Sequence, residues 1–241
     1  MKPFLAFLET FLVLVAAGLL SALLVAAAGI TYWVVIENQP LAELGWPGPS
    51  SFTAGMLAAV LSIQAVIFGA AAFLMTRWRI RPGNPSSRSS PARSVALGLL
   101  AGGAAVLVTI VVSTLMSLAG YEVSEQPWVM ALVESSPKSF LFLTPWIVIV
   151  APVAEELFFR GYVFRFLSQQ AGAGLGYAAS SLMFAVIHFH LPLLGFYLLY
   201  GLILAYVYQR TSRLLAPIVA HVTINLVGVS SLLLSGVQIP D

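Results

Sequence analysis

The chain has 241 residues, 60% of them hydrophobic and only 8% charged, and its mean hydropathy is +0.97. A soluble domain carries roughly 25% charged residues, so this is a polytopic membrane protein. It contains no cysteine, which excludes disulfides, thiolate metal sites and a cysteine nucleophile. The formal net charge is +2, and its 11 Lys and Arg are scattered among the loops, so no nucleic-acid surface is built.

In chain order, Lys2 precedes an apolar run from about Phe4 to Ile36. That run is far longer than a signal-peptide apolar region of roughly 7–15 residues, and it is read as a retained first span. Apolar stretches near 20 residues mark helical spans, and seven candidates follow: 5–36, 52–76, 93–119, 139–168, 174–190, 192–209 and 213–235. The fifth and sixth are short, and His190-Leu191-Pro192 is the only turn between them. If they form one bent helix the count is six, and an eighth span requires splitting a run. The fold class expected is all-α: a polytopic membrane helix bundle of about seven transmembrane helices (six to eight), with the active site inside the bundle.

Residues 1–91 hold two leading spans and an Arg-rich loop, while 92–241 form the bundle that carries the chemistry, at about 139–228. The stretch 82–91 is rich in Ser, Pro and Asn and reads as a flexible loop. The stretch 126–133, with Trp128, reads as an interfacial segment. Gly98-x-x-x-Gly102 offers a close-packing helix face. Arg77, Arg79, Arg81, Arg88 and Arg93 fill the loop after the second span, Arg165 ends the fourth, and Arg210 and Arg213 flank the last turn. Glu37, Glu43, Glu122, Glu125 and Glu134 occupy the alternate loops, with Lys138 their only cation. Positive loops face the cytoplasm. The N-terminus is therefore expected inside and, with seven spans, Asp241 outside.

Three polar clusters interrupt the apolar text. An ionisable side chain within a span costs at least ~2.5 kcal/mol, and its default reading is a functional site. The first cluster is Glu155-Glu156-x-x-x-Arg160. Glu156 and Arg160 are four apart, on one helix face, and can pair. Glu155 is turned about 100° away. Lacking its own cation, it is the candidate general base. The bland alternative is an ion-pair network that holds helices together. The second cluster is Phe184-x-x-x-His188, where the ring at i, i+4 lies beside the imidazole and limits water. His190 is a second candidate, and the histidine can equally be a hydrogen-bonded packing residue. The third is His221-x-x-x-Asn225, two donors on one face that suit an oxyanion hole or, alternatively, an interhelical polar clamp. A membrane-buried amide needs a partner either way.

Together the clusters resemble the CPBP family of glutamic intramembrane proteases (CAAX proteases and bacteriocin-processing Abi proteins). That family carries Glu-Glu-x-x-x-Arg, Phe-x-x-x-His and His-x-x-x-Asn on three membrane helices. All three are present here in order, with Ala151-Pro152-Val153-Ala154 before the glutamates, Gly161 after the arginine and 215–220 leading into His221. The resemblance covers about 139–228. It implies peptide-bond hydrolysis in a membrane-associated substrate without cofactor or metal. Glu155 would activate water with His188, His221 and Asn225 would stabilise the oxyanion, and Glu156, Arg160 and Phe184 would support them. The residues alone do not separate the roles of the two histidines.

Three other readings use the same residues. Glu155, His188 and His221 form a possible zinc set, although no His-Glu-x-x-His motif accompanies it. A non-catalytic scaffold or immunity protein would use the clusters as structural glue. A proton-relay transporter would show two symmetric halves, and no internal repeat is visible. The setting expected is a prokaryotic plasma membrane. No stretch of the chain specifies the substrate or the oligomeric state. Helix rise places Glu155 and His188 some 20 Å from the cytoplasmic ends and His221 some 12 Å, so tilted or broken helices are needed to bring them level.

Overall fold

The computed structural model describes residues 3–31, 54–81, 88–121 and 137–234. Helix α1 runs Pro3–Thr31, α2 Ala54–Arg79 and α3 Pro91–Leu118. The start of α3 is set locally: the Ser90 side chain accepts from the Arg93 backbone N–H, and Pro91 occupies the first turn, where its missing N–H is harmless. Next comes a rod that alternates between two helical windings. It consists of α4 (Pro137–Pro145), a π segment π1 (Trp146–Val150), α5 (Ala151–Glu156), a second π segment π2 (Leu157–Phe164) and α6 (Arg165–Ala171). Gly172, at φ 88°, turns the chain into α7 (Ala173–Val186). A short 3-10 turn (Leu191–Leu193) leads into α8 (Leu194–Thr211), and α9 (Leu215–Leu234) closes the bundle.

The all-α expectation holds among the described residues, where six helices are long and apolar enough to cross a membrane. The fifth expected span, 174–190, is shorter than predicted. Helix α7 has 14 residues, or about 21 Å at 1.5 Å per residue, against a hydrocarbon core of about 30 Å. It is not the first half of a bent helix, because Phe189 at φ 48° and Pro192 break the chain before α8. The expected interfacial segment 126–133, the acidic loops and positions 82–87 of the expected flexible loop lie outside the described residues.

Glycines set the closest contacts between helices. A Cβ at Gly98 would stand 2.6 Å from the Ala216 carbonyl oxygen, and one at Gly102 2.8 Å from that of Ala220. The Gly98-x-x-x-Gly102 face thus seats α3 directly on α9, one residue from His221. A Cβ at Gly201 would stand 2.8 Å from the Ser181 Cα, so α8 lies equally close to α7. The rod is central: α2, α7 and α8 pack around π2, and all seven residues from Phe158 to Phe164 are buried. Helix α1 is peripheral and packs mainly on α2. Its outer face is apolar, with Leu23 68% exposed, as a lipid-facing surface requires.

Candidate active site

The first glutamate pair sits at the junction of α5 and π2. Glu156 and Arg160 are both 0% exposed, and Arg160 Nη1 donates to Glu156 Oε1 at 2.8 Å. Arg160 Nη2 donates to the Gly201 carbonyl at 3.0 Å, which the close α7–α8 approach delivers. The guanidinium carbon also lies 4.7 Å from the Phe184 ring centroid and 5.9 Å from that of Phe159. A buried charge is thereby held by a carboxylate, a carbonyl and two π faces. The expected Glu156–Arg160 pair is present.

Glu156 has a second partner that spacing did not show. His221 Nδ1 lies 2.9 Å from the same Oε1. A carboxylate accepts, so Nδ1 carries the proton. This orients the ring and leaves Nε2 pointing at Glu155, 3.9 Å from its Oε2. Glu155 is turned off the pair as expected. Its side chain keeps 21% exposure, and its buried Oε2 has no hydrogen-bond partner within the protein. Glu156 Oε2 is likewise without a partner, so the two adjacent carboxylates differ in setting: Glu156 is fully buried and bonded through Oε1 to Arg160 and His221, while Glu155 keeps part of its side chain exposed.

His188 lies in the turn after α7, where helix carbonyls lack their usual donors. Its Nδ1 is 2.8 Å from the Phe184 carbonyl oxygen, so Nδ1 donates and Nε2 is the free acceptor. The ring stacks on Tyr197, with centroids 3.9 Å apart and planes 20° from parallel. Phe184 does more than shield. Its ring is 4.9 Å from His188 and 5.6 Å from His221, so it spaces the two histidines while covering Arg160.

Asn225 finds its partner through a proline. At the end of π1 the Ala151 N–H goes to the Trp146 carbonyl, one residue further back than in an α-helix. Pro152 has no N–H to give. The Ile147 carbonyl is left without its helical donor, and Asn225 Nδ2 donates to it at 2.9 Å. One amide hydrogen is thereby anchored, and a second donor and the amide oxygen remain available. The partner carbonyl was missed from sequence. Pro152 in the middle of a span was the available signal, because a mid-helix proline always orphans a carbonyl upstream.

These groups face one cavity of about 1010 Å³, lined by Glu155, Phe184, His188, His221 and Asn225 together with Tyr197 and Tyr200. His190 lines it too. The rod changes winding at two π segments without breaking, and the short α7 ends just before His188. Among the described residues no three His, Asp or Glu side chains are grouped to hold a metal ion.

The arrangement falls within a stretch that matches a known family. The family model described as "Type II CAAX prenyl endopeptidase Rce1-like" matches residues 137–227, which include all three polar clusters. The protein named "Putative membrane peptidase YdiL" of Bacillus subtilis (strain 168) is 35% identical over 77 residues, 32% of this chain and 32% of that protein. "UPF0177 protein YxdF" of Lactococcus lactis subsp. lactis (strain IL1403) is 34% identical over 86 residues, 35% of this chain and 46% of its own. "UPF0177 protein YbdI" of the same strain is 36% identical over 91 residues, 35% and 49% of the two chains. The chain therefore spans about a third to a half of the length of these curated relatives. No solved structure matches it.

Proposed function

We propose that the chain, whose residues 137–227 match the family model of Rce1-like type II CAAX prenyl endopeptidases, is a glutamate-dependent intramembrane endopeptidase. Its setting in this proposal is a prokaryotic plasma membrane, with the N-terminus cytoplasmic. The observation that carries the reading is the asymmetry of the adjacent glutamates. Glu156 is fully buried and engaged through Oε1 by Arg160 and His221, whereas Glu155 keeps 21% side-chain exposure and lines the cavity.

In the proposed reaction Glu155 takes a proton from a water molecule. His188 accepts that water's other hydrogen at Nε2 and so aims its lone pair at the scissile carbonyl carbon. As the C–O bond forms, the carbonyl oxygen becomes an oxyanion. The unanchored Asn225 N–H stabilises it, joined by His221 Nε2–H when that ring is doubly protonated. The C–N bond then breaks, and protonated Glu155 returns its proton to the leaving nitrogen. Glu156 acts through His221 by fixing its tautomer, and Arg160 by holding Glu156. Every proton is accounted for without a metal ion. The substrate in this reading is a membrane-associated peptide or protein.

The test is a substrate trap. Glu155→Gln protein, purified from its native membrane, should retain peptides that the wild-type protein cleaves once they are isolated and added back. Wild-type-like turnover by Glu155→Gln would end the reading and favour the scaffold or immunity role.

A further inference from the structure

The cavity is closed at one end of the bundle and extends toward the other, and the charges identify the two ends. Arg77, Arg79 and Arg81 close α2, Arg88 and Arg93 open α3, and Arg210 and Arg213 flank the α8–α9 turn. Cross-contacts show that these segments share one end. Arg79 pairs with Glu9 near the start of α1, Gln169 of α6 bonds to the backbone of Arg81, and Arg213 Nε donates to the Ser89 carbonyl. Lys138, in the first turn of α4, belongs to the opposite end. With seven arginines against one lysine among the described termini, the arginine end faces the cytoplasm.

Between that end and the site lies a dry plug. Phe158, Phe159, Tyr162, Val163, Phe166 and Leu167 are all 0–1% exposed, and the Glu156–Arg160 pair sits on top of them. None of these residues lines the cavity. Away from the site the cavity runs in the other direction, past Ser113 and Thr114 late in α3, Ser231 and Leu232 late in α9, and Phe189 in the turn after α7. Phe189 is 90% exposed and Leu191 beside it 80%.

The walls also select. Thr109, Ser113, Thr114, Gln64 and Tyr200 supply uncharged hydrogen-bonding groups between aromatic and aliphatic side chains. Tyr200 is set in place by its hydroxyl: Thr109 Oγ1 gives its proton to the Ala105 carbonyl and so accepts from Tyr200 at 2.7 Å. No Lys or Arg is among the described lining residues. Such walls suit the backbone amides of an extended internal segment, and they offer no cation to a terminal carboxylate.

Resting on the peptidase reading above, we propose that this cavity is loaded from the extracytoplasmic side. Its substrate is an internal segment of a membrane-anchored or exported polypeptide in the outer half of the bilayer, not the cytosolic C-terminus of a prenylated protein. The native chain has no cysteine, so single-cysteine variants read the orientation directly, whatever the activity. Phe189→Cys and Ser231→Cys should react with a membrane-impermeant maleimide in intact cells, and Ala92→Cys at the arginine end only in inside-out vesicles. Labelling of Phe189→Cys only in inside-out vesicles would overturn this inference and leave the peptidase reading standing. For the substrate, two single-span reporters would carry the segment recovered with Glu155→Gln, one on the outer end of the span and one on the cytoplasmic end. Cleavage of the outer reporter alone is expected, and preference for the cytoplasmic reporter overturns the inference. Outward labelling with neither reporter cut would remove the peptidase reading and this substrate with it.

Discussion

The two halves of the central rod meet at Glu155 and Glu156, and they are built to opposite ends. From Trp146 to Glu155 the rod faces the cavity, and its winding frees a carbonyl that holds Asn225. From Glu156 to Leu167 every residue but Leu157 and Arg165 is buried, and the Glu156–Arg160 ion pair is fully dry. Both halves contain a π segment. What separates them is what surrounds each: α2 runs along both, but the first has a cavity beside it and the second has α7 and α8 against it. Two adjacent residues of the same type therefore receive different tasks from their neighbours. In the open half a substitution should act on rate, and in the sealed half on stability.

The largest expected effect tests the open half. Glu155→Gln should lower turnover about 10²–10⁴-fold, the worth of a general base, while the unfolding temperature in detergent stays near wild type. Loss of stability of the size seen in sealed-half variants would erase the distinction between the glutamates.

In the sealed half, Arg160→Ala strands Glu156 as a buried charge and should cost about 3–5 kcal/mol. Chemical denaturation in mixed micelles measures it. The pair Glu156→Gln with Arg160→Gln should regain most of that stability, because a glutamine oxygen still accepts from His221 Nδ1. A double variant no more stable than Arg160→Ala would show that the charges do not compensate one another.

Asn225→Ala probes the open half again. It removes a donor aimed at the developing oxyanion, so kcat and kcat/KM should fall together by about 10²–10³-fold. Asn225→Asp should be at least as harmful, since a carboxylate meets both the oxyanion and the Ile147 carbonyl as an acceptor. A rise in KM at unchanged kcat would instead make Asn225 a substrate-binding group.

A smaller change should follow Pro152→Ala. It restores an N–H to the rod, and that N–H competes with Asn225 for the Ile147 carbonyl. Loss of one anchoring hydrogen bond is worth about 1 kcal/mol, and kcat should fall several-fold with KM unchanged. An unaltered kcat would show that Asn225 needs no anchor. Smallest of all is the effect expected of a strong chelator. Prolonged dialysis should leave activity unchanged, and one zinc per chain by elemental analysis would move support to the metallopeptidase reading.

Much of this was legible in the sequence because membrane chemistry makes polar residues conspicuous. Composition alone implied a helical bundle, since lipid leaves every backbone group to be satisfied within the chain. Spacing implied the Glu156–Arg160 pair, because i and i+4 are neighbours on any helix. The same rule placed Phe184 beside His188 and brought Gly98 and Gly102 onto one face. Each of these relations lies within a single turn or two of one element, where geometry is local.

What only the tertiary structure decided are relations between elements. The Glu156–His221 bond joins residues 65 apart in the chain, and the Asn225–Ile147 bond spans 78. Neither follows from helical periodicity. The first requires α9 to be seated by α3 at the right height, and the second requires a winding defect whose effect appears only when another helix lies against it. The same holds for the direction in which the cavity runs. The arginines read from the sequence identify one end of the bundle, but the plug of buried rings between that end and Glu155 exists only through the packing of several helices. Local sequence thus determines which groups share a helix face, and packing between helices determines which of them are left open to react.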